Sequence, residues 1–540
     1  MPVNPVARGR HLHDRVLLLW CLAALGLSIA YPTIRLLLTA AASWRWGEIV
    51  RGAGLEALRN TLLIGFGSVL LAGITGTALA VAVTRHEFPF RRSLSGLAFL
   101  PFSLPPLVGT LSFYYLIGAD GLLPRLIEKA FGASNVTLDG PVAILVIHTY
   151  SFFVFFYAMV SAALEGMDSA QIEAARTLGA SPSRVFWKVI VPALRPALLG
   201  ASLLTFMSSG ASFSAPLYFG NDFPFLSVEI YEARSQFDSN RALTLTVVLA
   251  AVSLLGLALF RSRRDIPSGG SKGAPRRLAS KKARMLAGFF AWAGMLALLT
   301  PHITILWLSL VDHRQWHTEL VPHAFTFANY TDLFSDPAAF TPIRNSLWMA
   351  AAAALATLLV GLPAAYLIGR RRPGARAVNL IVMIPWALPG TVIAMNLISA
   401  FNDPWLPLYG TPIILPLAYF VRNIPMLTRM VGAGISQFDP SLIEAGRTHG
   451  ASPRRCVQKI VVPLLAPAIV AATAMTFASS LGEFVASILL FSPGTIPIAV
   501  EINMQMQGSG VGAAFAYSVF LMVLVTLTFL LSRRLASRVF

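Results

Sequence analysis

Apolar stretches of about 18 residues or more recur along this chain, each long enough as a helix to cross a hydrocarbon core roughly 30 Å thick. Twelve are expected, near residues 16–38, 60–84, 94–117, 141–164, 190–213, 242–260, 285–311, 345–369, 377–400, 411–433, 463–490 and 513–532. The pattern therefore predicts an all-α membrane protein. The first stretch is the least regular, because Pro32 and Arg35 interrupt it. Arg8, Arg10 and Arg15 before it and Ala40–Ala42 after it resemble a cleavable signal, but its apolar run is long for one, and an uncleaved helix is expected. Pro101, Pro105 and Pro106, with Pro385 and Pro389, predict a kink in the third stretch of each half.

Composition sharpens this picture. Apolar residues make up 56% of the 540 and charged residues 12%, against roughly 45–50% and about 25% in soluble domains. The net charge of +18 does not point to nucleic acid. Its basic residues sit in short clusters beside apolar stretches, with no basic groove interleaved with aromatics. Arg85, Arg91 and Arg92 fall in one polar segment, Arg176, Arg184 and Lys188 in another, and Arg370, Arg371, Arg372 and Arg376 in a third. Acids such as Glu48, Asp120, Asp222 and Asp332 fall in the alternate segments. Counting Lys and Arg in this way places both termini in the cytoplasm. Cys21 and Cys456 are too few for a disulfide framework or a zinc cage and read as packing residues. Residues 261–284 are rich in Arg, Lys, Gly, Ser and Pro, and predict a flexible linker between a first unit, 1–260, and a second, 285–540.

The two units repeat each other. Residues 173–198, EAARTLGASPSRVFWKVIVPALRPAL, match residues 444–469, EAGRTHGASPRRCVQKIVVPLLAPAI, at 15 of 26 positions with an offset of 271. Arg59-Asn60-Thr61-Leu62 matches Arg344-Asn345-Ser346-Leu347, and the segment from Leu100 to Pro105 matches that from Ile384 to Pro389, at offsets of 285 and 284. The change in offset locates an extra segment around 118–140. Six stretches per unit in the same order make the units parallel repeats, with the seam between them the natural pathway.

The repeated segment lies between the fourth and fifth stretches of each unit. Glu173 to Leu178 are mostly helix formers. Gly179 suits a helix end with positive φ. Ser181 then caps a new helix whose first residue is Pro182. Gly450, Ser452 and Pro453 repeat the arrangement, and Pro192 and Pro463 mark the start of the next membrane helix. Glu-Ala-Ala, three residues, Gly, nine residues, an aliphatic residue and then Pro resembles the EAA loop of ABC importer permeases. Its first copy comprises Glu173, Ala174, Ala175, Gly179, Val189 and Pro192, and its second Glu444, Ala445, Gly446, Gly450, Ile460 and Pro463. Gly446 departs from the alanine usual in that family.

The resemblance implies a type I ABC importer permease fold and a transport subunit rather than an enzyme, in the bacterial cytoplasmic membrane. It also implies that the loops dock on two copies of a separate cytoplasmic ATPase, with Glu173 and Glu444 meeting basic groups of that partner. Residues 179–188 and 450–459, including Ala180, Ser181, Pro182, Ala451, Ser452 and Pro453, would form the inserted knobs. No GxxxxGK[ST] phosphate loop occurs in the chain. ATP and Mg would thus be bound by the partner, with no cofactor here. A substrate-binding protein outside the membrane is the other implied partner.

Fused two-unit permeases resemble the ferric-iron, thiamine and aminoethylphosphonate branches of the family. The segments from Leu417 to Pro425 and from Leu489 to Thr495 are most like the iron branch. The histidines have no metal-ligand spacing, which suits a permease whose binding protein holds the metal. Arg422 and Glu483 are the pathway candidates, because a charge inside a membrane must face a cavity or a partner. The blander alternative has Arg422 snorkelling from a helix end and Glu483 satisfied by Ser479, Ser480 or backbone. A twelve-span secondary transporter would share the parallel halves but not need the duplicated loop. A membrane-embedded enzyme is disfavoured by the lack of HExxH, GxSxG or convergent carboxylates.

Overall fold

The computed structural model describes all residues except 1–4, 44–46, 48–52, 120, 133–136, 168, 261–275, 278–279, 317–318, 320–323, 440, 509 and 538–540. Helices occupy all twelve predicted stretches. Ten are long and apolar enough to cross a bilayer, and a bent pair, Ala375–Ala387 with Gly390–Phe401, makes an eleventh. The twelfth, Ile414–Gln437, is a 24-residue helix whose Arg422, Asn423 and Arg429 reduce its hydropathy.

Both third stretches break where the prolines predict. In the first half a short helix, Arg91–Leu97, and a 3₁₀ turn, Leu100–Ser103, precede the helix Pro106–Ile117. In the second the two helices meet at 115°. Leu104 and Leu388 are extended, with ψ of 111° and 131°. Each precedes a proline whose ring excludes the helical conformation from its neighbour. The offset change near 118–140 is filled by an added helix, Leu122–Phe131.

Prolines elsewhere bend the path less than expected. Pro192 and Pro463 do not start new helices. Each follows a π turn, Phe186–Ile190 or Val457–Val461, that joins the preceding short helix to the membrane helix without a break. The N–H groups of Val191 and Val462 reach back five residues, to Phe186 and Val457. The extra residue relieves the clash between a proline ring and the carbonyl four residues earlier. The same device, at Gly26–Ala30 before Pro32, keeps the irregular first stretch helical.

The chain folds as two compact units whose limits differ from those of the sequence repeats. One is residues 45–325; the other joins 1–44 to 326–540. Most of the expected linker lies outside the described residues, and Arg276–Arg277 pairs as a two-residue parallel strand with His86–Glu87. Duplication fixes the order of helices but carries no information on which of them pack.

In the unit 45–325, the helices Ala53–Arg85 and Gly140–Glu165 approach closely at Gly76, where a Cβ would lie 2.3 Å from the Phe153 carbonyl oxygen. The core there runs from Ala72 and Ala80 through Phe153, Phe156 and Val160 to Leu194 and Ala201. The repeated Asn-Thr/Ser pair has a structural task. Asn60 donates to the Pro224 carbonyl at 3.1 Å, and Thr61 accepts the Leu226 N–H at 3.1 Å. In the unit of 1–44 and 326–540, Asn345 donates to the Ile496 carbonyl and Ser346 accepts the Ile498 N–H at 2.8 Å. Each pair fixes the start of a helix, Leu226–Ser235 or Ile498–Gln507. In that second unit Arg35, which interrupts the first stretch, pairs with Asp403 at 3.0 Å.

Candidate functional site

The two repeated loops are helical hairpins of one design. The first arms are Ser169–Thr177 and Ser441–Thr448, and the second begin at Pro182 and Pro453. Gly179 and Gly450 both sit at φ 79°, a conformation costing an L-residue roughly 1–2 kcal/mol. The Gly179 N–H donates to Arg176 at 2.9 Å and the Ala180 N–H to Ala175 at 3.0 Å. Gly450 donates to Arg447 at 2.9 Å and Ala451 to Gly446 at 3.0 Å. These paired bonds are a Schellman closure, which ends the first arm by satisfying its last carbonyls. The Ser181 and Ser452 hydroxyls then accept the N–H groups of Arg184 and Arg455, both at 3.3 Å, and cap the second arms. Because the π turns join those arms to the fifth stretches, the second arm of each hairpin is continuous with a membrane helix.

The surfaces are open where a partner would need them. Glu173, Ala174, Gly179 and Ser181 are exposed, as are Glu444, Ala445, Gly450 and Ser452, while Ala175, Ala180, Pro192, Gly446, Ala451 and Pro463 are partly or wholly exposed. The side chains of Pro182 and Pro453 lie outside the described residues. The hairpin bases are anchored by Ile172 and Val185 in the first, and by Cys456, at 1% exposure, in the second. Cys456 thus has the packing role read for it, at the position equivalent to Val185. The tips differ in chemistry: Leu178, 88% exposed, and Trp187 stand in the first where His449 and Gln458 stand in the second.

The departure at Gly446 has a packing cause that sequence reasoning missed. A Cβ there would lie 2.7 Å from the Ile460 Cδ1 and 3.4 Å from the Cys456 Sγ. The equivalent residues in the first hairpin are Ala175 and Val189. One methylene has moved from one arm to the other, Ala opposite Val becoming Gly opposite Ile. The signal was present as two coupled differences between the repeats. Asp439 adds a turn before the second hairpin by accepting the Ser441 N–H at 2.9 Å; this backbone bond and the Ser441 hydroxyl hold its carboxyl below the usual range. Its equivalent, Asp168, lies outside the described residues.

Arg422 and Glu483, 61 residues apart in sequence, are brought together. Arg422 Nε lies 2.6 Å from Glu483 Oε2, a pairing that neither the pathway reading nor the blander alternative anticipated. Glu483 is 4% exposed and lies in the break after the helix Val462–Leu481. Its Oε1 accepts the Ala486 N–H at 3.0 Å, and its carbonyl accepts the Ser487 hydroxyl. Ser487 in turn bonds the buried Tyr419 at 2.8 Å. The equivalent place in the other unit holds a cluster of one histidine and three serines. His148, at the position of Tyr419, bonds Ser68 and Ser209 through Nδ1 and Ser212 through Nε2. Ser212 stands where Glu483 stands.

The sequence profile of the family described as "Binding-protein-dependent transport system inner membrane component" matches residues 72–264 and 357–540. A probable ABC transporter permease protein of Sinorhizobium fredii is 27% identical over 83% of this chain and 81% of its own. A ferric transport system permease protein of Actinobacillus pleuropneumoniae is 28% identical over 86% of this chain and 70% of its own. A sulfate transport system permease protein of Escherichia coli is 30% identical over 43% of this chain and 88% of its own.

Proposed function

This chain belongs to the family of binding-protein-dependent transport system inner membrane components, and from that premise we propose that it is the permease of an ATP-driven importer of ferric iron. Two copies of a separate ATPase dock on the hairpins 173–192 and 444–463, and a substrate-binding protein delivers the cargo from the other face. Both termini are cytoplasmic, with the hairpins on that side. ATP binding draws the ATPase copies together and pulls the hairpins, the pathway opens outward by alternating access, and hydrolysis resets it inward.

The observation that carries this reading is the twin hairpin geometry. An identical turn, cap and closure, each continuous with a membrane helix, is what two copies of one motor would require. Ferric iron is favoured because a relative bearing that name aligns along 86% of this fused chain, whereas the sulfate relative aligns with 43% of it. That shorter match supports an oxyanion importer as the second reading, with aminoethylphosphonate and thiamine as further substrates to compare.

Gly179→Pro and Gly450→Pro test the docking role. Proline cannot adopt φ 79° and removes the N–H that closes the first arm. Both variants should insert into the membrane, and ATP hydrolysis should no longer drive uptake in vesicles containing ATPase and binding protein. Normal transport by both variants would overturn the docking role. Uptake of labelled ferric iron in preference to sulfate, aminoethylphosphonate and thiamine is the expected substrate result; preference for any of the others would overturn the iron assignment.

A further inference from the structure

The helix Ile414–Gln437 carries a second feature beyond the Arg422–Glu483 pair. Residues 418–421, 423–425, 427–428, 431 and 435 are buried. Arg422, Met426, Arg429 and Ala433 are partly or fully exposed, and their spacing of four, three and four puts them on one face. A lipid-facing stripe would be apolar. This one presents two guanidinium groups about 10 Å apart along the axis, and exposing either to hydrocarbon would cost several kcal/mol. The face therefore borders water.

The two arginines are held differently, but neither is spent. Glu483 Oε2 takes Arg422 at Nε, and the Arg422 side chain remains 36% exposed. Gly390 lets the guanidinium pack closely beside it, since a Cβ there would lie 3.0 Å from Arg422 Nη1 and 3.1 Å from the Val485 Cβ. Arg429 is exposed and directs Nε and Nη2 at the Met383 sulfur, at 3.3 and 3.1 Å. A thioether is a weak acceptor, and no carboxylate pairs with Arg429 among the described residues. The equivalent face in the first repeat is Ser151, Phe155 and Ala158, without charge.

We propose that Arg422, Met426 and Arg429 form an anion track, on which an oxyanion group of the cargo, carried as a ligand of the iron on the ferric reading above, passes from one guanidinium to the next toward the second hairpin. A guanidinium fork matches carboxylate, phosphate and sulfate oxygens, and Glu483 orients the first fork through Nε. The proposal deepens the importer reading by naming the chemical class its pathway accepts. Its test does not depend on transport, so the two fail separately.

Met426→Cys places a thiol between the arginines, while the native Cys21 and Cys456 are buried. The permease assembled with its ATPase in phosphatidylcholine nanodiscs is treated with anionic sulfonatoethyl or cationic trimethylammonioethyl methanethiosulfonate, and each rate is divided by that with a free thiol. The anionic reagent should be favoured by about tenfold, inorganic phosphate should slow it, and Arg429→Gln or Arg422→Gln should collapse the preference. Arg429→Gln alone suffices if Arg422→Gln fails to assemble. An unreactive thiol, or a preference for the cationic reagent, would overturn the track. So would protection by added phosphatidylglycerol but not by inorganic phosphate, which would identify a lipid headgroup site.

Discussion

The two hairpins and the two buried polar clusters are products of one duplication, yet they have diverged to different extents. The hairpins keep their turn, closure and cap with the same hydrogen-bond lengths to within 0.1 Å. The clusters between the fourth and fifth stretches share only their position, one being a histidine among serines and the other an ion pair beside a tyrosine. On the proposed docking role, a surface that must fit identical partners at two places would be constrained in shape. An interior need only satisfy its polar groups, and hydroxyls, an imidazole or a bonded ion pair all do so. The hairpin tips follow the same logic at finer scale: their backbones agree while Leu178 and Trp187 stand opposite His449 and Gln458.

Removing the partner charge should have the largest effect. Glu483→Ala removes a charged hydrogen bond to the partly exposed Arg422 and should cost about 2 kcal/mol, against about 1 kcal/mol for Ser212→Ala, which removes a neutral hydrogen bond at the equivalent place. Denaturation of the purified permease in detergent measures both, and equal losses would mean that the two clusters are energetically alike. A smaller effect should follow from the exchanged methylene. Gly446→Ala should clash with Ile460, and Ile460→Val should relieve the clash, giving a coupling of about 1 kcal/mol in a double-mutant cycle. Ala175→Gly with Val189→Ile is the reciprocal cycle in the first hairpin. Strict additivity in both cycles would remove the packing explanation for Gly446.

How much of this was legible in the sequence depends on how local the physics is. The hairpins were readable residue by residue, because a positive-φ glycine, a serine cap and a proline at a helix start act within a few positions of themselves. The broken third stretches were readable for the same reason, although the 115° bend was not. The extra helix Leu122–Phe131 showed only as a change of offset. The Arg422–Glu483 pair was not readable as a pair, since nothing in the chain says that residues 61 apart will meet. The distribution of the first and seventh stretches between the compact units was equally hidden, because both are generic apolar helices whose partners are chosen by packing. Pro192 and Pro463 misled in a particular way: a proline reads as a boundary, but a π turn absorbs it.

The most direct test of the docking role uses the equivalent hairpin tips. Leu178→Cys and His449→Cys, each introduced alone, are labelled in sealed vesicles with an impermeant maleimide applied from either side, with and without the purified ATPase subunit. The expected result is that both thiols react only from the cytoplasmic side and that both are protected when the ATPase is bound. Labelling of either tip from the outer side, or full reactivity of both with the ATPase bound, would contradict it.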